Sequence, residues 1–438
     1  MRFLFVHQNF PGQFLHVIKH LQAQGHEVVF IAQPNENRIV GVRCAYYERP
    51  ADPPEGIGTG VRDMELGMRR GEQVARVARN LRGLGFTPDI IIGHHGWGEL
   101  LNLRDVFPST PILGYFEFFY QENGQDVNFD PEFPIDESHY PRIRSMNMIN
   151  LLALSLEQYG QTPTRWQLTR YPLWAQQQIK VLPEGADLDL CRPNPDARRQ
   201  VFAMGDFKVG PKDKLVTFVA RNLEPYRGFH TMMRALPDLL RGRKDVKVIM
   251  VGGDDVSYGA RLAGSTWRQH MQRELAGKYD ASRVLWPGQV PYPVYLSLLQ
   301  RSDAHVYLTY PFVLSWSLRE AMATGCAIIG ADVEPVAELI TDGRTGLLTS
   351  CLDARALAAK ILGLLEDPAL SASLRSNARR YAEKHLDMRL HLAAFDARIH
   401  EITGLNPAAP VVLRPRAAKK VTPPPPAAPP ARRRAKTA

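Results

Sequence analysis

Short apolar runs alternate with segments of helical periodicity, and the alternation starts twice along the chain. Residues 2–6 read as a strand, followed by Phe14, Val17, Ile18 and Leu21 at helical spacing, with Gly25 as the stop. Residues 27–32, 89–93 and 111–115 read as further strands. After about residue 190 the pattern begins again. Residues 215–220, 246–251, 304–309 and 327–330 read as strands, Phe229, Met232, Met233, Leu236 and Leu240 mark one helix face, and 354–365 reads as a helix. Runs that are apolar throughout suit strands covered on both faces, which is the situation in parallel sheets. The expectation is therefore an α/β chain. At 438 residues it exceeds one ordinary core, so two Rossmann-like units in tandem are expected, with a linker near 184–195.

The formal net charge of +9 is a local property. Eight of the 54 Lys and Arg, and none of the 45 Asp and Glu, fall in residues 405–438, so the rest of the chain is close to neutral. That removes the main support for a nucleic-acid-binding surface, and no specific nucleic-acid partner is expected. Nine prolines in those 34 residues, with alanine and basic residues, describe a segment that cannot bury a core and is expected to be disordered. Cys44, Cys191, Cys326 and Cys351 form no CxxC pair and read as reduced thiols of a cytoplasmic protein. The apolar run at the N-terminus is too short for a signal h-region, and no run is long enough to span a membrane.

Two segments carry the chemistry. In Phe218-Val219-Ala220-Arg221-Asn222-Leu223-Glu224-Pro225-Tyr226-Arg227-Gly228 a strand runs into a loop with two guanidinium groups, ahead of a helix. In Pro311-Phe312-Val313-Leu314-Ser315-Trp316-Ser317-Leu318-Arg319-Glu320-Ala321-Met322 a strand runs into a helix start with one carboxylate, Glu320. Fixed cations and a helix N-terminus suit a diphosphate, and a carboxylate one turn in suits a ribose diol. As separate features these would be solvated loop arginines and an acid on a helix dipole; together they point to a nucleotide.

Both segments, with Gly252-Gly253, Gly288-Gln289-Val290-Pro291 and the glycine-bounded run 330–348, resemble the donor half of retaining family 4 glycosyltransferases of the GT-B fold. His7 to Phe14 and Gly93-His94-His95-Gly96-Trp97-Gly98-Glu99 resemble their acceptor half, and 129–133 and 163–167 resemble one bacterial subgroup. The resemblance implies two Rossmann-like domains facing across a cleft, and transfer of a hexose from a nucleoside-diphosphate sugar to a saccharide or lipid-linked hydroxyl. It implies retention of configuration, a setting in polysaccharide or glycolipid synthesis, and a nucleotide-sugar co-substrate with no metal.

It assigns catalytic roles to His94, Arg221 and Arg227, donor contacts to Gly12, Gly252, Val290, Ser315 and Glu320, and acceptor-side places to Trp97 and Glu99. His94 would orient or deprotonate the acceptor. The sequence departs from the family pattern twice: Arg227 stands where a lysine is usual, and Phe312 replaces the first of two glutamates. The Asp187-Leu188-Asp189 triplet lies in the linker and is not expected to hold a metal. The alternatives are a nucleotide-sugar epimerase or a non-catalytic nucleotide-binding protein on the same fold.

The implied division is 1–185 for the acceptor-side domain, 186–385 for the nucleotide-sugar domain, 386–404 for a terminal helix and 405–438 for the tail. Near an anionic lipid surface each tail cation contributes about 1 kcal/mol, screened over roughly 8 Å at physiological salt. The expected consequence is a weak, salt-sensitive peripheral contact at the inner face of a membrane. Full-length protein should sediment with anionic vesicles at low salt and a chain truncated at Leu405 should not; equal sedimentation of the two rejects the contact.

Overall fold

A computed structural model describes residues 1–156 and 158–407. The first half forms β1 (Arg2–Val6), β2 (Glu27–Ala32), β3 (Arg43–Tyr46), β4 (Ile90–His94), β5 (Ile112–Tyr115), β6 (Tyr159–Thr162) and β7 (Ile179–Val181). They make one parallel sheet in the order β3-β2-β1-β4-β5-β6-β7. A small antiparallel hairpin follows, β8 (Phe202–Met204) and β9 (Phe207–Val209). The second half then forms β10 (Lys214–Asn222), β11 (Val246–Gly253), β12 (Val284–Gly288), β13 (Ala304–Tyr307), β14 (Ile328–Ala331) and β15 (Leu347–Thr349). Their order is β12-β11-β10-β13-β14-β15, again parallel.

The central strands are apolar runs because both faces are covered. On β1, Phe3 and Phe5 join a cluster with Phe395 and Ile399 of the last helix, Met388–Thr403. Leu4 and Val6 face the other way, onto Val74, Ala75 and Ala78 of the long helix Thr59–Gly83. The last helix thus returns from the second half to close the first sheet, with His20 on Asp396 at 2.8 Å and Lys180 on Glu401 at 2.5 Å. Pro407, two residues into the stretch expected to be disordered, is buried, and its carbonyl accepts from His26 at 2.7 Å. Residues 408–438, the rest of that stretch, lie outside the described residues. Among the described residues no helix is long and apolar enough to cross a membrane.

Strand order reverses direction at β1/β4 in one sheet and at β10/β13 in the other, and open α/β sheets bind ligands at the carboxyl ends beside such points. The segment after β5 brings the two edges together. Phe118 packs on Phe312 with ring centroids 4.5 Å apart, and the Tyr226 hydroxyl donates to Asp126 at 2.7 Å. Asp130, buried, accepts from the Tyr310 hydroxyl at 2.6 Å and lies 2.9 Å from His230 Nε2. Glu132 receives both terminal nitrogens of Arg234, at 2.6 and 2.9 Å, and Phe133 meets Trp267 edge-on. Further along, Glu338 accepts from the backbone N–H groups of Arg165 and Trp166. At the linker the buried Arg319 guanidinium lies 3.5 Å from Glu184, whose other oxygen accepts from Tyr115.

Burial pushes the Asp130 carboxyl up, but its hydrogen bonds with His230 and Tyr310 outweigh this and hold it at about 2. A carboxyl lowered from an unfolded value of about 3.9 contributes stability that is complete above that pH. The contribution is lost as pH falls from about 4 towards 2. Asp130→Asn should therefore lower the urea midpoint at pH 6 and lose less additional stability than wild type between pH 6 and pH 3. Identical pH dependence in the two proteins would remove Asp130 from the seam's energetics.

Candidate active site

Arg221 is exposed at the end of β10, inside the strand rather than in the loop after it. The β10–β11 register shifts between Val219 and Asn222, which turns this end of the strand outward. Arg227 falls in the next turn, Pro225–Arg227, and is buried instead of lying open on a loop. Its Nη1 donates to Thr309 Oγ1 at 2.9 Å and to the Val313 carbonyl at 3.0 Å. Its guanidinium lies 5.1 Å from the Tyr258 ring centroid and 5.8 Å from that of Phe312. Gly228 closes the turn at φ +66°, and a Cβ there would come within 2.3 Å of Leu308. Arg227 is thereby aimed along the end of β13.

Sequence reasoning passed over Glu224. It is fully buried and accepts from the backbone N–H groups of Ser257, Tyr258 and Gly259, at 2.9–3.2 Å. That brings Tyr258 over Arg227. Phe312, in place of the expected carboxylate, is enclosed by Phe118, Tyr226, Tyr258 and the Arg227 guanidinium.

Ser315 caps the helix Trp316–Ala323: its Oγ accepts from Ser317 N at 3.3 Å and from Ser317 Oγ at 3.0 Å. Its own N–H donates to the Tyr307 hydroxyl at 2.8 Å. The Ser315 oxygen is thus engaged as a cap while its O–H stays a donor, so this position offers an anion site that proton as well as the helix terminus. Glu320 lies in the second turn of that helix. Its two oxygens accept from the Tyr292 and Tyr295 hydroxyls, at 2.9 and 2.8 Å, and burial pushes its carboxyl up. A carboxylate has about four lone-pair sites, so each oxygen retains acceptor capacity. Gly252 is buried against Leu223 and Ala220, where a Cβ would not fit. Val290 turns inward, packed against the cluster around Ile249 and Leu298. The crevice at this end of β11 and β12 is lined by Gly253, Asp254, Arg268, Trp286 and Gly288.

Across from these, Gly12 adopts φ +55° and lies over the His7 imidazole. His94 ends β4. Its ring lies between those of His7, Trp97 and Tyr115, at 5.7, 6.2 and 5.8 Å. Its Nδ1 accepts from the Gly96 N–H at 2.9 Å and its Nε2 lies 3.3 Å from Glu117 Oε2. A backbone N–H only donates, so the neutral ring carries its proton on Nε2. The expectation that His94 deprotonates an acceptor is therefore corrected: neither ring nitrogen offers a lone pair to a substrate. Trp97 is exposed beside it, under the Arg70 guanidinium. Glu99, taken for the acceptor face, is buried. Tyr47 donates to it at 3.0 Å, and burial pushes its carboxyl up. Glu117, which sequence reasoning missed, feels the charge of Arg221 from the other half.

Asp187 caps its own turn, accepting from the N–H groups of Asp189 and Leu190. Asp254 pairs with Arg268. Among the described residues, Asp130, Glu132 and His230 are the group whose ligand atoms lie close enough for a metal ion. Their oxygens are already committed to Tyr310, His230 and Arg234, which makes them a hydrogen-bonded seam.

Residues 24–191 match the family model "Glycosyl transferase family 4 group" and residues 205–384 match "Glycosyl transferases group 1". The phosphatidyl-myo-inositol mannosyltransferase of Mycolicibacterium smegmatis is 30% identical over 176 residues, 39% of this chain and 41% of that protein. A glycogen synthase of Mycobacterium tuberculosis is 28% identical over 196 residues, 44% of each chain. The chain thus spans under half the length of these curated relatives. Among solved structures, sucrose-phosphate synthase from Thermosynechococcus elongatus superposes with TM-score 0.70 at 18% identity, covering 92% of this chain and 99% of that one. Anabaena HepE in complex with UDP and glucose superposes with TM-score 0.65 at 17% identity, covering 92% and 100%.

Removing Arg227 orphans the buried Thr309 hydroxyl and the partly buried Val313 carbonyl, at about 1–3 kcal/mol for an unmade buried hydrogen bond. Arg227→Ala should therefore lower the urea midpoint measurably, and Arg227→Lys, which keeps a donor and the charge, should recover part of the loss. Wild-type stability of the alanine variant would show that the observed contacts carry no energy.

Proposed function

The chain belongs to the glycosyl transferase group 1 family and has the GT-B fold, and on that premise we propose that it moves a hexose from a nucleoside-diphosphate sugar to an acceptor hydroxyl, with retention of configuration. The observation that carries the reading is that Arg221, at the carboxyl edge of one sheet with Arg227 in the next turn, lies within electrostatic reach of Glu117 at the edge of the other sheet, where Glu117 meets His94. As the glycosidic bond breaks, charge develops on the departing diphosphate, and fixed guanidinium groups stabilise it in the transition state. The helix terminus at Ser315 adds its dipole to the same anion. On this reading the arginines meet the phosphate charge and no metal is required. Glu320 takes the ribose diol, and the crevice by Trp286 and Gly288 takes the nucleobase.

The retaining route that fits is same-face attack, in which the acceptor oxygen bonds to the anomeric carbon as the diphosphate leaves with the bonding pair. The acceptor's proton passes to the leaving phosphate. The acceptor is a saccharide or lipid-linked hydroxyl, a reading supported by the mannosyltransferase relative's name. A second reading, a nucleotide-binding protein without turnover, is favoured by Phe312, which offers the donor sugar an apolar wall where a carboxylate was expected.

A thermal-shift screen of UDP, GDP and ADP, each with its 2′-deoxy counterpart, tests the nucleotide site. A ligand at about 100 times its dissociation constant adds roughly 2.7 kcal/mol of stability. Glu320→Gln should weaken ribonucleotide binding by about 10-fold and leave the 2′-deoxy form little changed. Arg221→Ala, at an exposed position, should leave the melting temperature of the free protein unchanged and cut kcat/KM by about 100-fold or more. Full activity in Arg221→Ala rejects the diphosphate assignment. Nucleotide binding with no sugar transfer to any hydroxyl favours the second reading.

A further inference from the structure

We propose that Glu117 is an acceptor-binding carboxylate: its outward oxygen accepts a hydrogen bond from a hydroxyl of the acceptor, and His94 is the positioning residue that holds it for that purpose. The inference rests on the transferase reading and names what binds on the N-terminal side of the cleft.

Three observations carry it. The first is the direction of the hydrogen bonds. Gly96 N–H donates to His94 Nδ1 at 2.9 Å, so the His94 proton sits on Nε2 and is directed at Glu117 Oε2, 3.3 Å away. The ring is closely confined. A Cβ at Gly96 would lie 2.6 Å from His94 Cε1, which shows how closely the backbone covers it, and three further rings surround it. His94 is a donor whose one proton is already spent.

The second is exposure. The His94 side chain is 6% exposed and that of Glu117 is 39% exposed, so the carboxylate is the member of the pair that solvent and substrate reach. Among the described residues His94 alone bonds the Glu117 carboxylate, and it uses one oxygen. The other oxygen keeps its lone pairs, and an ionised carboxylate accepts hydrogen bonds without donating any. A sugar or polyol hydroxyl is the complementary group.

The third is placement. Glu117 follows β5, next to the β1/β4 switch point, and lies within electrostatic reach of Arg221 on the opposite edge. Burial in the cleft works against its charge. The hydrogen bond from His94 is the largest effect opposing this, the Arg221 charge acts in the same direction, and the carboxyl lies below its ordinary range, so it acts as a hydrogen-bond acceptor rather than a proton store. A hydroxyl held there stands between the diphosphate arginines and the N-terminal sheet, on the face an acceptor must approach.

The test uses the full chain, the glucose and mannose conjugates of the nucleoside diphosphate that the screen selects, and a panel of glycerol, myo-inositol and methyl α-D-mannoside as acceptor probes. Glu117→Gln should raise the acceptor KM by about 10- to 100-fold, the effect of losing a hydrogen bond to a charged acceptor. The dissociation constant for the nucleoside diphosphate should stay within about 2-fold of the wild-type value. Long-range 1H–15N NMR of the free protein should show His94 as the neutral Nε2–H tautomer. If Glu117→Gln fails to fold, Glu117→Asp, which retains the charge but withdraws it by one methylene, must show the same KM-selective loss. Unchanged acceptor KM, an equal loss of nucleotide affinity, or an Nδ1–H tautomer overturns the assignment. Absence of sugar transfer by the unmodified protein overturns the transferase reading itself, and this assignment with it.

Discussion

The Asp130 carboxylate sits at the seam between two separately cored sheets, and the cleft depends on that seam. A parallel sheet presents its strand carboxyl ends as one edge, and each half of this chain has such an edge. The two edges face each other only where segments of one half reach the other. The segment after β5 does so by crossing to the second half and burying Asp130 against Tyr310 and His230, with Glu132 on Arg234 and Phe133 on Trp267 beside it. A buried carboxylate is costly without partners, so the donors and the acid specify one docking position. Phe118 on Phe312 then sets the depth of the cleft, and Arg319 with Glu184 holds the linker side.

Within that frame, chemistry is assigned by which atoms are already occupied. Arg227 gives one nitrogen to Thr309 and Val313, which orients the guanidinium along β13. Ser315 is engaged as a cap. Glu320 is gripped by two tyrosine hydroxyls, which hold the carboxylate in one rotamer ahead of any ligand. His94 has no lone pair left for a substrate. Each of these side chains has a ligand-binding residue type, and in each the existing bonds decide which role remains. Glu224 shows the converse: an acid in a conspicuous motif whose oxygens are consumed by three backbone N–H groups, and whose effect is to place Tyr258.

The central strands were legible because burial on both faces forces an uninterrupted apolar run. Residues 2–6 and 27–32 read from the sequence are the observed β1 and β2, and the readings for β4, β5, β10 and β14 differ from the observed bounds by one or two residues. The flanking elements were not legible. β3, β6 and β7 are short and carry Arg43, Gln161 and Lys180, so no apolar run marks them. The helix Thr59–Gly83 is polar over much of its surface and buries Gly67 and Gly71, where a glycine reads as a breaker. Here the missing side chains let the loop at Trp97 and Gly98 lie against it.

The order of residue types along the chain determined the class of the fold, the doubling of the α/β unit and the presence of two arginines and a helix-borne carboxylate in the second unit. Those follow from periodicity and spacing, which are local and need no partner. Tertiary structure alone decided that Glu99 is buried and Glu117 is open, that Arg227 is enclosed while Arg221 is free to meet a ligand, and that Phe312 belongs to an aromatic wall. Burial and hydrogen-bond direction depend on residues a hundred or more positions away, as Tyr226 on Asp126 and His230 on Asp130 do, and no local pattern encodes such a pairing.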